Sequence, residues 1–240
     1  MLENYEFFHI PPACEVNKTI FKKLFYENAD LSSSDKVLFT DVINKITWLY
    51  CMKPETINIQ PYQDETREYL EIEFLEVELA EERKLSRIAE LMMRTIPYPM
   101  VLVFRFDNQW KLFVAHQRNR LNDSSKITIE EFISTGWIDN GSELLGKLDV
   151  RTMRFSNFFD LYSDIVDVIS IYNAETLIGS DLDLSGEAAR KLSSTMEGLD
   201  NEITSLKSML KNETQFNRQI ELNIQIKELR KRKSQLMGGK

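Results

Sequence analysis

The sequence predicts an α+β protein, in which a small, mainly antiparallel sheet flanked by helices is followed by a C-terminal helical coiled coil. Up to residue 172, segments of alternating apolar residues intersperse with segments whose apolar residues recur three or four positions apart. Residues 173–186 are rich in polar residues and contain two glycines, which is typical of a linker. From 187 to 237, apolar residues recur in heptads. We therefore predict a body over 1–172, a linker over 173–186 and a coiled-coil tail over 187–237.

Two helices and a strand are predicted to open the body. Ile20, Leu24 and Phe25 stand at helical spacing, which predicts a short amphipathic helix over 16–26. A longer apolar stripe predicts a helix over 35–50, and the alternation over 56–60 predicts a half-exposed strand.

The next strand, over 70–79, changes phase within its length. Leu70, Ile72 and Phe74 share one parity, whereas the apolar residues from Leu75 onward share the other, so we predict a bulge near Phe74 and Leu75. The alternation places four glutamates on the solvent face: Glu71, Glu73, Glu76 and Glu78.

The remainder of the body is predicted to contain a helix, a hairpin and a last helix. A helix over 81–95 precedes strands over 100–106 and 110–115, which are joined by good turn residues. The segment 128–134 fits a helix or a strand, and 137–148 resembles a loop. Apolar residues at helical spacing predict the last body helix over 156–171.

The tail carries the clearest pattern in the chain. Six apolar residues separated by 4, 3, 4, 3 and 4 positions predict a coiled-coil seam: Leu192, Met196, Leu199, Ile203, Leu206 and Leu210. The register fails at Glu213, and a second set begins at Leu222 in a new phase. A helical hairpin with a turn over 211–216 and one continuous helix with a stutter both fit this change.

Composition and charge limit the possible functions. With 42% hydrophobic residues the 240-residue chain can bury an ordinary core, which excludes a wholly disordered protein. Cys14 and Cys51 lack metal-type spacing, which favours reduced core thiols and a cytoplasmic location. We expect no export signal and no membrane span. We also predict no catalytic residue, metal ligand or cofactor.

The net charge of −8 is unevenly distributed. From Ser185 onward there are 11 of the 30 basic and 7 of the 38 acidic residues, a balance of +4, so the preceding part carries −12. A basic tail of this kind contacts nucleic acid, or it attracts an acidic body or partner.

Two groups of residues suggest binding chemistry. The acidic strand resembles the carboxylate strands of metal-dependent nucleases, but it lacks their lysine, and solvent-facing glutamates explain it more simply. Candidate contacts to nucleic acid lie on the hairpin and near the C-terminus: Arg118, Arg120, Lys227, Arg230, Lys231, Arg232 and Lys233.

Five stretches together resemble a bacterial family of domains of unknown function, the one numbered 4391. They lie at 48–57, 94–99, 117–118, 134–137 and 213–223. The resemblance brings no catalytic residues, since the family has no assigned activity. It implies a genetic context beside helicases and DNA methyltransferases of restriction-like or phage-defence loci.

These observations favour a non-catalytic accessory subunit of a bacterial DNA-processing or anti-phage defence assembly. The tail would bind a protein partner, for which a helicase or a DNA methyltransferase is the candidate, or it would dimerise. The alternative is a nuclease-like or nucleic-acid-binding protein, and a third hypothesis is a homodimeric scaffold.

Overall fold

In a computed structural model, which describes residues 2–29, 31–120, 123–179 and 182–238, the chain forms two compact units, Met1–Ile169 and Ser170–Lys240. The strands are β1 (Glu15–Ile20), β2 (Ile43–Met52), β3 (Tyr62–Gln63), β4 (Glu68–Tyr69), β5 (Ile72–Leu79), β6 (Met100–Phe106), β7 (Gln109–Arg120) and β8 (Asp123–Ser134). The helices are α1 (Lys23–Asn28), α2 (Ser33–Asp41), α3 (Pro54–Ile57), α4 (Leu85–Thr95), α5 (Glu143–Lys147), α6 (Phe158–Ile178), α7 (Gly186–Asn212) and α8 (Phe216–Leu236). Short 3₁₀ segments occupy Leu2–Phe8, Pro12–Cys14 and Val150–Thr152.

Six strands form the main sheet of the first unit in the order β1-β2-β5-β6-β7-β8, and β3 pairs with β4 separately. All neighbours in the main sheet are antiparallel except β5 and β6, which are parallel and connected through α4. The predicted mixture of helices with a mainly antiparallel sheet is therefore confirmed, but the sheet is larger than the small one we predicted.

A hydrophobic core joins one face of this sheet to α1, α2 and α4. Leu75 on β5 and Phe104 on β6 are fully buried in it, together with Phe39 of α2 and Met92 of α4. Because β5 lies between β2 and β6 and both of its faces are covered, it forms the centre of the first unit.

The N-terminal predictions were partly wrong. Residues 16–20 belong to β1, and only Lys23–Asn28 is helical. The predicted helix over 35–50 ends at Asp41, and β2 follows from Ile43, because the β-branched and aromatic residues of 42–49 pack better on a pleated sheet. The predicted strand over 56–60 is also wrong, since a helical turn runs to Ile57.

The phase change in β5 coincides with an irregularity in its pairing with β2. Trp48 pairs with Leu75 and Tyr50 pairs with Phe74, so the extra residue is Leu49 on β2. The prediction that the glutamates face solvent was wrong for Glu73 and Glu76, which are 4% and 2% exposed.

Later elements agree better with the sequence pattern. The helix α4 and the β6–β7 hairpin are confirmed, and the ambiguous segment 128–134 lies in β8. The predicted loop over 137–148 contains α5, and α6 extends past residue 171 to Ile178. The predicted linker therefore overlaps the end of α6, and its residues 180–181 lie outside the described part of the chain.

The second unit contains a helical hairpin, which decides between the two alternatives for the tail. Helices α7 and α8 pack against each other across the turn 213–215, and Lys233 Nζ lies 2.6 Å from Asp200 Oδ1. The Ser185 hydroxyl accepts a hydrogen bond from the Ala188 amide and caps α7. That the two helices form a coiled coil stays a prediction. No helix within the described ranges is both long and apolar enough to span a bilayer.

Candidate functional site

Three side chains converge in the first unit. The ligand atoms of Cys51, Glu71 and Glu73 lie within 4.8 Å of one another, and we call them the Glu-Cys cluster. Antiparallel pairing of β2 with β5 places Cys51 opposite Glu73. Glu71 precedes β5 by one residue, so alternation turns it to the same side as Glu73. Among the described residues this is the group that could hold a metal ion.

Burial dominates the electrostatics of the Glu-Cys cluster. The pKa of Glu73 is raised to about 7, mainly by burial and also by the neighbouring Glu71, although a hydrogen bond donated by the Trp48 indole opposes the shift. Burial also raises the pKa of the Cys51 thiol, and the two carboxylates add to that shift. The thiol donates to Glu71 over 3.6 Å. A divalent cation would relieve this crowding of negative groups, and the thiol would favour a softer ion.

A cleft of about 330 Å³ adjoins the Glu-Cys cluster. Cys51 and Trp48 belong to its wall, which also includes Lys18 and Lys53. Lys18 pairs with Trp48 across β1 and β2, and neither lysine forms an ion pair in the described part of the chain. These lysines were not predicted, because the acidic strand itself carries no lysine and the register of β1 with β2 supplies Lys18.

A larger cleft of about 710 Å³ lies beside α2 and α4. Its wall contains Asp35 and Arg87, which bind each other through two contacts of 3.0 Å. Because Asp35 and Arg87 pair with each other, this cleft offers fewer unpaired charges to a ligand than the cleft beside Cys51.

Two of the arginines on the predicted hairpin, Arg105 and Arg118, form ion pairs. Arg118 Nε lies 2.9 Å from Glu130 Oε1, and Arg67 lies 2.8 Å from the other oxygen of the same carboxylate. Arg105 pairs with Glu78 at 2.6 Å. The side chain of Arg120 lies outside the described residues. A nucleic-acid role for this hairpin stays a prediction.

The predicted seam of the tail is covered within this one chain. Met196, Leu199 and Ile203 are buried, as are Leu222 and Ile226 of α8. The remaining seam residues are half-buried, namely Leu192, Leu206 and Leu210. The burial of Met196, Leu199 and Ile203 does not require a second chain, and a role of the seam in binding one stays a prediction.

The other side of α8 is exposed. Phe216, Ile220 and Ile224 are 72%, 43% and 52% exposed, and Lys227 and Lys231 continue their line along the helix. We call these five residues the outer stripe. The two lysines were among the predicted contacts to nucleic acid. The three apolar residues were not predicted as a site, although their spacing of four is visible in the sequence.

The model of one family, described as Domain of unknown function (DUF4391), matches residues 8–232. The chain belongs to the DUF4391 family. No curated protein and no solved structure matches it. The DUF4391 match includes the Glu-Cys cluster and the whole outer stripe, so both features lie within the region that defines the family.

Proposed function

We propose that this DUF4391 protein is a non-catalytic interaction subunit of a bacterial DNA-processing or anti-phage defence assembly. The outer stripe carries the proposal, because three large apolar side chains in a row on one exposed helix face are typical of a protein-binding surface. The family resemblance supports the setting, in which a helicase or a DNA methyltransferase is the candidate partner.

Purification of the tagged full-length protein from its native cells at low salt tests this role. We expect one DNA-processing protein to co-purify in near-stoichiometric amount, and an unrelated tagged protein serves as the control. Absence of any stoichiometric partner would contradict the proposal.

The Glu-Cys cluster supports a second candidate function, a nuclease-like hydrolase that depends on a divalent cation. Glu71 and Glu73 would hold the cation, whose chemistry is to polarise a phosphoryl oxygen and acidify a bound water. Lys18 and Lys53 in the adjoining cleft would attract phosphate. The balance of −12 before Ser185 repels nucleic acid, and this candidate therefore ranks second.

A nuclease assay with Mg²⁺ or Mn²⁺ tests the second candidate. Cleavage that is lost in the Glu71→Ala, Glu73→Ala variant but kept in Glu68→Ala would replace the interaction role with catalysis. Equal activity in all three proteins would indicate a contaminant.

A further inference from the structure

We propose that the outer stripe inserts into an apolar groove on a partner protein, and that carboxylates surround the end of this groove that receives the basic half of α8. The inference rests on the proposed interaction role and names the surface and the chemistry of the partner.

The geometry of α8 separates an inner face from an outer one. At 100° per residue, Phe216, Ile220, Ile224, Lys227 and Lys231 fall within about 80° of the helix circumference. The buried Leu222 and Ile226 lie on the other side of the helix. The outer stripe can therefore be covered without disturbing the packing of α8 on α7.

Along the outer stripe, the apolar residues come first and the charged residues follow. Its first half is apolar, whereas its second half carries Lys227 and Lys231, with Arg230 beside them. None of these three cations forms an ion pair within the described residues, although Lys233 binds Asp200. Three unpaired cations at one end of an apolar stripe match an acidic rim.

A second copy of the chain fits the stripe poorly. Parallel pairing of two stripes would bring Lys227 and Lys231 against their own counterparts. Antiparallel pairing centred on Ile220 would carry Lys227 and Lys231 past Phe216, the first residue of the other copy's α8, so neither lysine would face the stripe of the other copy. The area that three apolar residues can bury falls far short of the roughly 800 Å² per partner of a standard interface. A groove, by contrast, contacts a helix on several sides.

Nucleic acid explains only half of the stripe. Phosphates would pair with the cations, and Phe216 could stack on a base, but Ile220 and Ile224 have no counterpart in such a contact. An apolar protein groove satisfies both halves.

Site-specific photo-crosslinking in the native cells tests the inference. A benzophenone amino acid replaces Ile220 in the full-length protein, and the matched control carries it at Gln225, an exposed position elsewhere on α8. We expect position 220 to crosslink to one protein, at a groove bordered by Asp and Glu. With that protein purified, Ile220→Ser should weaken binding at least about tenfold, as should Lys227→Glu with Lys231→Glu at low salt, whereas Gln225→Ser should not. Circular dichroism confirms that each variant keeps its helices.

These outcomes test the docking surface and the proposed interaction role separately. A partner that crosslinks equally well from position 225, or that binds Ile220→Ser unchanged, overturns the outer stripe as the docking surface and leaves the interaction role intact. Crosslinks to nucleic acid or to a second copy overturn the proposed occupant. If neither crosslinking nor co-purification yields a partner, both the inference and the proposed function are wrong.

Discussion

The indole Nε1 of Trp48 donates a hydrogen bond to the carboxylate of Glu73, within the sheet of the first unit. Trp48 lies on β2 and Glu73 on β5, where only 4% of the glutamate is exposed. A buried carboxylate pays a desolvation penalty when it ionises, and a single neutral donor offsets only part of it. Glu73 is therefore expected to make the stability of this unit depend on pH.

Replacing Glu73 with Gln should remove that dependence. The pKa of Glu73 rises from 4.5 to about 7 on folding, mainly through burial. The stability that this raised pKa contributes is fully present below pH 4.5 and is lost as the pH rises through about 7. Between about pH 5 and about pH 8 we expect the free energy of unfolding of the wild type to fall relative to Glu73→Gln, by up to about 3 kcal/mol.

Urea denaturation across this pH range measures the difference. Glu68→Gln, which changes an exposed glutamate of β4, is the matched control and should follow the wild type. Parallel pH profiles for Glu73→Gln and the wild type would show that Glu73 ionises in the folded protein as it does in water.

The sequence predicted best those features that depend on local signals. The β6–β7 hairpin was predictable because turn residues separate two apolar runs, and helix α4 because its stripe has one period. The burial of Glu73 was not predictable, since it depends on β5 being a central strand with both faces covered and on the Trp48 side chain of the neighbouring strand β2. Alternation alone cannot tell a solvent face from a second buried face.

The two candidate sites differ in the same way, since one depends on strand register and the other on a local pattern. The Glu-Cys cluster depends on the register that places Cys51 opposite Glu73, and no local pattern encodes that register. The helix predicted over 35–50 concealed it further, because it removed Cys51 from any strand end. The outer stripe, by contrast, depends on helical spacing from Phe216 to Lys231 and could have been identified from the sequence.

Replacing Asp35 should destabilise the N-terminal part of the first unit. Its carboxylate binds Arg87 through two contacts of 3.0 Å and accepts a hydrogen bond from the Ser32 hydroxyl at 2.7 Å. These contacts, led by those from Arg87, hold the pKa of Asp35 well below its usual value. Because Arg87 is partly exposed, we expect Asp35→Asn to cost only about 1–2 kcal/mol near neutral pH.

The cost should shrink in acid. A lowered folded pKa contributes stability that is present above the unfolded value of 3.8 and is lost as the pH falls towards the folded value. Thermal unfolding of the wild type and Asp35→Asn at about pH 7 and about pH 3 measures this change. Glu90→Gln, which removes partly exposed ion pairs with Arg87 at 3.3 Å and with Arg94 at 2.6 Å, is the control. An undiminished difference in acid would contradict a role for the ionised carboxylate.

Removing the hydroxyl of Tyr162 should weaken the attachment of α6 to the sheet. The hydroxyl is fully buried, donates to the Met100 carbonyl at 2.8 Å and accepts from the Ala115 amide at 3.1 Å. Tyr162→Phe leaves both backbone groups without this partner, so we expect a loss of about 1–3 kcal/mol in chemical denaturation. Tyr62→Phe loses only an exposed bond to Asp64 and should change stability by less than about 0.5 kcal/mol. Equal losses would mean that the buried hydrogen bonds of the Tyr162 hydroxyl contribute no more to stability than the exposed bond of Tyr62.

The stability of the hairpin in the second unit should depend on its buried apolar residues and hardly at all on its ion pair. Leu222 is 1% exposed, so Leu222→Ala should cost about 2–4 kcal/mol through lost burial and a cavity. The pair between Lys233 and Asp200 is half-exposed, and Lys233→Ala should cost less than about 1 kcal/mol.

Amide hydrogen exchange of α7 and α8 distinguishes these contributions residue by residue. Leu222→Ala should accelerate exchange in both helices by at least about 30-fold, because opening of the hairpin becomes easier by that free energy. Ile220→Ala is the matched control, since it shortens an apolar side chain on the exposed side of the same helix. If Ile220→Ala accelerated exchange as much as Leu222→Ala, Ile220 would stabilise the hairpin itself, and the outer stripe would not be free to bind a partner.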